Sequence, residues 1–282
     1  MRDSVVLSHF QINSIIEAKE ANRKTIQISP DLGLTVIEIS VVTDGAIFPG
    51  NNILNWDGIM QIKSCSNNCF ELHGGKLTKI ITYSQLTGLT YSLMSTNGAP
   101  TMLISGIPMH RIKGIDPYQD TLEKLRTLKH VGGNILDTAT GLGYTAIEAS
   151  KTAEHVTSIE LDPAAIEIAR INPWSRSLFD NPKITQLIGD SFDVIHTLKA
   201  GDFTRVIHDP PTFTLAGDLY STEFYRELYR VLRQHGMLFH YIGNPESKSG
   251  QNVTRGVTRR LKDAGFLEVI PKPSAFGVVA YK

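Results

Sequence analysis

Apolar and polar positions follow two patterns that change near residue 115. Before it, apolar residues come in short β-rich runs: 35–42 (TVIEISVV), 79–84 (KIITYS), 90–95 (TYSLMS) and 101–107 (TMLISGI). Turn-forming stretches separate them, among them TDG, PGNN, HGG and TNGAP. The early segment 9–23 (HFQINSIIEAKEANR) has helical spacing that predicts Phe10, Ile15 and Ile16 facing inward. A helix with a small, mostly antiparallel sheet is therefore expected over residues 1–115.

After residue 115, strands and helices alternate. The spacing predicts a helix over 120–128, with Asp120 as its cap, then a strand in NILDTA and a helix over 144–153. Strands follow at 155–162 (HVTSIELD), 183–190 (KITQLIGD) and 203–209 (FTRVIHD). Helices stand between them: PAAIEIARIN, with Pro163 in its first turn, and the short FDVIHTLKA. TEFYRELYRVLRQHG places Phe224, Leu228, Val231 and Leu232 on one face and is expected to stop at Gly236. A fifth strand (MLFHYIG) and a helix with Val253, Val257, Leu261 and Ala264 on one stripe come next. The last two runs, FLEVIP and FGVVAYK, are joined by KPSA, too short for a helical crossover, so they should form an antiparallel hairpin. The expected fold is α/β: a Rossmann-like, mostly parallel sheet over 116–282 with a C-terminal antiparallel hairpin, beside a smaller β-rich (α+β) domain over 1–115. The smaller domain is expected to shape the acceptor site or to build a homodimer.

Composition narrows the function classes. Acidic and basic residues balance at 28 each in 282 residues, so no global field draws the chain to nucleic acid or to an anionic membrane. Cys65 and Cys69 are too few for a disulfide scaffold, and their spacing supplies no zinc site. They are expected as ordinary thiols in a reducing compartment, and no metal is expected. No signal pattern or membrane-length apolar run is visible, which gives the expectation of a cytoplasmic protein with no membrane partner.

In open α/β sheets, ligands bind beyond the carboxyl ends of the strands. The first strand ends in Asp137-Thr138-Ala139-Thr140-Gly141-Leu142-Gly143, the second in Glu160-Leu161-Asp162, the third in Gly189-Asp190-Ser191 and the fourth in Asp209-Pro210-Pro211-Thr212-Phe213. An acid near each tip is the strongest sign of a site. Glu160 has the spacing of an acid that accepts from ribose hydroxyls; the alternative is an exposed strand-end charge. Asp162 before Pro163 reads as a helix N-cap. Asp190 fits either a helix cap or an acceptor for an adenine amino group, with Leu161 and Phe192 as apolar walls. Asp209 is followed by two prolines, which stiffen the strand exit. GLGYTA also fits a dinucleotide fingerprint, so the turn by itself leaves a nicotinamide cofactor open. Asp190, Asp209-Pro-Pro and the closing hairpin argue against it.

These residues resemble the class I S-adenosylmethionine-dependent methyltransferases. Asp137-Thr-Ala139-Thr-Gly141-Leu-Gly143 is similar to the family's first motif, with Ala139 in place of a glycine. SIELDP, GDSF and DPPTF resemble the second to fourth motifs. The resemblance implies S-adenosylmethionine as cofactor, Glu160 at its ribose, and Asp190, Ser191 and Phe192 near its adenine. The fourth motif implies a nitrogen acceptor, although Thr212 separates the prolines from Phe213. A second resemblance, to spermidine synthase relatives, is carried by GDSFDVI and by 219–238 (LYSTEFYRELYRVLRQHGML), against a first motif without a glycine triplet and a fourth with Pro-Pro. Over its whole length the chain looks most like an archaeal-type methyltransferase group related to spermidine synthases.

Methyl transfer to an unidentified small molecule, protein or RNA is the leading expectation. Asp209 would then accept a hydrogen bond or a proton from the acceptor. Pro210, Thr212, Phe213, Tyr220 and Tyr225 are candidates around it, and His110 is a candidate from the preceding segment. His208 and His240 read as core histidines. An aminopropyltransferase using decarboxylated S-adenosylmethionine and a cofactor-binding subunit without chemistry of its own are the alternatives.

Overall fold

In the computed structural model, residues 5–211 and 216–282 are described, without the side chains of Lys248 and Ser249. They form two compact units. One comprises the chain as far as Tyr118 together with Ala164–Arg176; the other comprises Gln119–Pro163 and Ser177–Lys282.

The first unit opens with β1 (Val5–Leu7) and α1 (His9–Glu20), followed by β2 (Thr25–Ile28), β3 (Ile37–Val42), β4 (Gly45–Phe48) and β5 (Asn52–Asn55). Next come α2 (Trp56–Lys63), β6 (Phe70–His73), β7 (Lys76–Lys79), β8 (Ile81–Tyr83), β9 (Thr90–Met94), β10 (Thr101–Ile104) and β11 (Ile107–Pro108). Instead of one sheet, these strands make three, ordered β1-β6-β7, β2-β3-β4-β5 and β11-β10-β9-β8, with every strand pair antiparallel. The run 79–84 divides because Ile80, buried, ends the pairing of β7 with β6 and begins that of β8 with β9.

Helix α1 buries Ile12, Ile15 and Ala18, a stripe one position out of phase with the expected Phe10. Phe10 is 40% exposed and lies against the His9 ring, while Ile16 is partly buried against the core. Helix α2 carried no apolar period strong enough to predict it; Asn55 caps it by accepting from Gly58 N at 2.8 Å. Segment Ala164–Arg176 is tied to this unit by Thr82 Oγ1 donating to Glu167 Oε2 at 2.9 Å and by Trp174 Nε1 donating to the Leu32 carbonyl at 3.1 Å.

The helix α3 (Pro117–Arg126) precedes β12 (Asn134–Asp137), α4 (Tyr144–Ser150), β13 (His155–Glu160) and α5 (Pro163–Ile171). Then follow α6 (Arg176–Asp180), β14 (Ile184–Ile188), α7 (Ser191–Val194), β15 (Phe203–His208), α8 (Thr222–Val231), β16 (Leu232–Tyr241), α9 (Lys248–Asp263), β17 (Glu268–Lys272) and β18 (Gly277–Tyr281). Asp120 does not cap α3. The helix begins three residues earlier, and Asp116 Oδ1 accepts from Tyr118 N at 2.8 Å.

The seven-stranded sheet of the second unit has the order β14-β13-β12-β15-β16-β18-β17. Pairs among β12 to β16 are parallel, and β18 joins β16 and β17 antiparallel, so the closing hairpin forms as expected. Strand order reverses at β12: the chain steps outward to β13 and β14, then returns to β15 on the other side. Such a reversal opens a crevice at the strand tips.

Helix α8 ends at Val231, not at Gly236. Leu232 is already extended (φ −67°, ψ 140°), buried, and paired with Phe203. The Lys282 ammonium donates to the carbonyls of Tyr229 and Leu232 at 2.6 and 2.7 Å, satisfying the helix end from fifty residues downstream. The core under this sheet joins Leu136, Ile159, Val206 and Leu238 to Phe224 and Leu228 of α8 and to Val257 and Leu261 of α9. No helix among the described residues is long and apolar enough to cross a membrane.

Leu261 is fully buried and Leu267 is 76% exposed. Leu261→Ala is expected to cost about 2–5 kcal/mol, and Leu267→Ala less than about 0.5 kcal/mol. Urea unfolding of the two variants checks this contrast.

Candidate active site at the strand tips

The turn after β12 is organised from below by Asp137. Its side chain is completely buried, and Oδ2 accepts from Thr145 Oγ1 at 3.0 Å and from Ser158 Oγ at 3.1 Å. Thr140 Oγ1 bonds Ser158 Oγ at 2.7 Å, and Ala139 N approaches Asp137 Oδ1 at 3.5 Å. Burial pushes the Asp137 carboxyl up to about 7, against the hydroxyl donors that favour the charged form. Asp137 thus braces the loop from within. Gly143 begins α4 in the left-handed region (φ 76°), and a Cβ there would lie 2.6 Å from Leu178 Cδ2, so both conformation and space demand glycine. Gly141 also has positive φ (52°), and Ala139 is half-buried beside it.

Glu160 ties this turn to the tip of β13. Its Oε2 accepts from Gly141 N at 2.8 Å and its Oε1 from Asp162 N at 3.1 Å. Desolvation raises its pKa, opposed by the N–H groups of Asp162 and Gly141. Leu161 beside it is 44% exposed, while Asp162 is buried at the position before Pro163.

Asp190 caps α7, with Oδ1 accepting from Phe192 N at 2.8 Å, and its side chain stands exposed at the tip of β14. The buried Ser191 donates to the Thr138 carbonyl at 2.6 Å, which locks α7 to the first turn. Phe192 is half-buried, stacked on Phe224 with ring centroids 6.1 Å apart.

At the end of β15, His208 is fully buried. Its Nε2 donates to the Leu219 carbonyl at 2.9 Å, so Nδ1 accepts from Thr138 Oγ1 at 2.7 Å. Burial lowers its pKa to about 3. His240 Nε2 lies 2.8 Å from the Tyr225 hydroxyl, and burial followed by the neighbouring His208 lowers its pKa well below the ordinary value. Both are core histidines, and Tyr225 is a core tyrosine. Tyr220 is 4% exposed and donates to the Pro211 carbonyl at 3.1 Å, so it closes the strand exit rather than lining it openly; Pro210 is buried. Thr212 and Phe213 lie outside the described residues. His110 belongs to the first unit, where its Nδ1 lies 3.0 Å from Thr101 Oγ1.

Asp209, 17% exposed, brings in a residue that sequence reasoning missed. Its Oδ2 accepts from the Lys124 ammonium at 2.6 Å, and the same ammonium meets Asp120 Oδ2 at 2.9 Å. Lys124 is 2% exposed and Asp120 is fully buried. Burial alone would lower the Lys124 pKa, but Asp209 and Asp120 outweigh it and hold it above the ordinary value. The Tyr241 ring lies 4.7 Å from the ammonium. The four-residue spacing of Asp120 and Lys124 is visible in the sequence; their third partner, 85 residues further on, is not.

The strand-tip segments 137–143, 160–162, 189–192 and 208–211 therefore contain five carboxylates and neither lysine nor arginine. Glu160, Asp190 and Asp209 reach solvent, while Asp137 and Asp162 are buried. Among the described residues no group of three or more His, Cys, Asp and Glu is arranged to hold a metal ion.

Comparison with known proteins gives this arrangement its relatives. The spermine/spermidine synthase domain matches residues 113–272. The uncharacterized protein MJ1233 of Methanocaldococcus jannaschii is 39% identical over 99% of this chain and 98% of its own length. Polyamine aminopropyltransferases of Mycobacterium tuberculosis and Sulfurisphaera tokodaii are 31% and 28% identical over 40% and 57% of the chain. The matches span 23% and 57% of those two proteins. Among solved structures, a spermidine synthase in complex with the transition state analogue AdoDATO superposes with TM-score 0.59 at 19% identity, covering 73% of this chain and 75% of that one. The Thermotoga maritima spermidine synthase gives 0.54 at 20% identity, over 73% and 74% of the two chains. At these identities the structures show the fold alone, and the α/β Rossmann-like architecture with its smaller β-rich region is that fold.

The buried carboxyl supplies a pH test. Because its folded pKa is raised, the stability contributed by Asp137 is full below the unfolded value, near 3.8, and is lost as pH rises through about 7. The stability difference between the native chain and Asp137→Asn should therefore favour the native chain at pH 5 and shrink or reverse at pH 8, by urea unfolding. An equal difference at both pH values would remove the buried-acid account.

Proposed function

The chain belongs to the spermine/spermidine synthase domain family, and on that premise we propose that it is an aminopropyltransferase. In this reading decarboxylated S-adenosylmethionine is the donor and a primary or secondary amine the acceptor. One observation carries the choice: the strand tips present carboxylates with no cation among them, apart from Lys124, which is engaged by two carboxylates. A donor that retains its carboxylate would meet like charge there, whereas the decarboxylated donor, with the same ammonium and no carboxylate, avoids that repulsion.

The residues fit such a nucleoside. Each carboxylate oxygen of Glu160 has two lone-pair directions, so ribose hydroxyls can bond beside the N–H groups of Gly141 and Asp162. Asp190 holds Oδ1 on the helix cap and presents its carboxylate at an exposed edge, suited to an adenine amino group. Leu161 and Phe192 supply apolar surface around the base, and the glycine turn lets the chain of the donor approach backbone.

The bound donor supplies a carbon activated by its sulfonium. The amine lone pair forms the new C–N bond, the C–S bond breaks, its electrons neutralise the sulfonium, and the amine gives up one proton. The chain's part is alignment: Asp209 accepts a hydrogen bond from the attacking amine and orients its lone pair along the C–S axis. Methyl transfer, which Asp-Pro-Pro suggested, needs the same frame but a donor with its carboxylate retained, and the two readings part on that group.

Calorimetry with the two donors, followed by chromatography after incubation with putrescine or spermidine, tests the proposal. The expected result is at least about tenfold tighter binding of the decarboxylated donor, with release of methylthioadenosine only when an amine is present. Asp209→Ala should lower transfer by about 10²-fold through lost alignment while donor affinity stays within about threefold. Tighter binding of S-adenosylmethionine, with label from its methyl group in a product, would establish methyl transfer instead.

A further inference from the structure

The buried cluster Asp120–Lys124–Asp209 has a consequence for the proton that the acceptor must lose. Its charge is that of two carboxylates and one ammonium. Lys124 Nζ sits 2.6 Å from the same Asp209 oxygen that faces α3, in a side chain only 2% exposed. A proton arriving on either oxygen of Asp209 would leave that ammonium beside a neutral acid, with no water to replace the lost charge partner. Asp120, fully buried at 2.9 Å, anchors the ammonium from the far side, so it cannot swing away with Asp209. The ring of Tyr241 at 4.7 Å closes another side.

We propose that Lys124 is a positioning residue that fixes Asp209 as a hydrogen-bond acceptor and bars it from abstracting the acceptor's proton, so that the acceptor amine must enter as its free base. This rests on the aminopropyl-transfer reading for the identity of the acceptor. Among the described residues, the ionisable groups near Asp209 include Asp120 and Lys124 from α3, Asp137 from β12, Tyr220 from the segment before α8 and Tyr241 from β16. The Lys124 ammonium touches the carboxylate directly. Burial pushes the Tyr220 hydroxyl above its ordinary value, so it stays neutral across the working range. Asp137 points away into its own hydroxyl cradle.

Selection follows from this placement. An amine that loses its proton in bulk water is favoured over one that relies on a protein base, so turnover should follow the acceptor's own ionisation. Removing the ammonium while keeping its bulk leaves Asp120 and Asp209 as two close carboxylates that compete for one proton, the arrangement that turns a carboxylate into a base near neutral pH.

The test uses the full chain, Lys124→Met, Lys124→Arg and Asp209→Asn, with two readouts. The first needs no turnover: the Asp209 side-chain carbon, labelled with carbon-13 and assigned by its loss in Asp209→Asn, is followed from pH 6 to 9. It should hold its position in the native chain and in Lys124→Arg, and move through that range in Lys124→Met. The second is the pH profile of kcat/KM with decarboxylated S-adenosylmethionine and putrescine. The native profile should rise about tenfold per pH unit below the amine's own ionisation, and Lys124→Met should shift it to lower pH, with Lys124→Arg restoring it. An Asp209 carbon that moves alike in native chain and Lys124→Met, or profiles that superimpose, would overturn the role of Lys124. Absence of amine transfer by the native chain would instead overturn the aminopropyl reading, with the carbon-13 readout still deciding whether Lys124 fixes Asp209. If Lys124→Met does not fold, Lys124→Gln, which keeps a polar partner for both carboxylates without the charge, decides on the same two readouts: the Asp209 carbon and the profile should move as expected for loss of the ammonium, and no movement of either would overturn the proposal.

Discussion

Lys124 is an ammonium almost without contact with water, and much of the strand-tip architecture follows from what that requires. Taking a charge out of water costs several kcal/mol unless partners of good geometry replace the lost hydration. Asp120 supplies one such partner from the same helix, one turn away, and Asp209 supplies the other from the end of β15. The consequence is mechanical as well as electrostatic. Helix α3 and the tip of β15 cannot separate without exposing an unpaired charge, so the strand exit that carries Asp209 is held at a fixed height. Behind it, His208 grips Thr138 and the Leu219 carbonyl, and the Tyr220 hydroxyl closes on Pro211. These contacts hold the region from several directions through buried polar bonds.

The acids at the strand tips divide their work. Asp137 turns inward and is spent on Thr145 and Ser158, so it stabilises the loop that glycine makes possible. Glu160 bridges the first and second tips through backbone N–H groups, which fixes its carboxylate at the rim of the turn. Asp190 uses one oxygen on its helix cap and keeps its side chain at the surface. Helix capping occupies one oxygen, so it leaves the two readings of Asp190 offered by the sequence compatible with each other. Pre-organisation of this kind lowers the ordering cost of binding, because the acceptors are in place before a ligand arrives.

How much of this could be read from the chain depends on how local its cause is. The alternation of strands and helices after residue 115 carries the parallel character of the sheet and its closing hairpin, since each connection is set by runs of adjacent residues; the strand order itself is not local and is seen only in the structure. The acids Glu160, Asp190 and Asp209 were legible for the same reason: they end recognisable strands. Lys124 was not, because its meaning comes from a carboxylate 85 residues away. The early end of α8 was hidden likewise, since Lys282 satisfies its last carbonyls from the far end of the chain. Phe10 misled because helix phase depends on where the first turn begins, and one position of shift moves an aromatic ring from core to solvent. Asp120 misled because a helix start at Pro117 converts a capping position into a buried one.

On the aminopropyl-transfer reading, these carboxylates make a nucleoside site suited to a ligand without a carboxylate of its own. S-adenosylhomocysteine and its decarboxylated form share the nucleoside, the thioether and the ammonium, and differ in the carboxylate alone. Competitive calorimetry of the two therefore isolates that group. The decarboxylated thioether should bind more tightly; tighter binding of S-adenosylhomocysteine would contradict the reading.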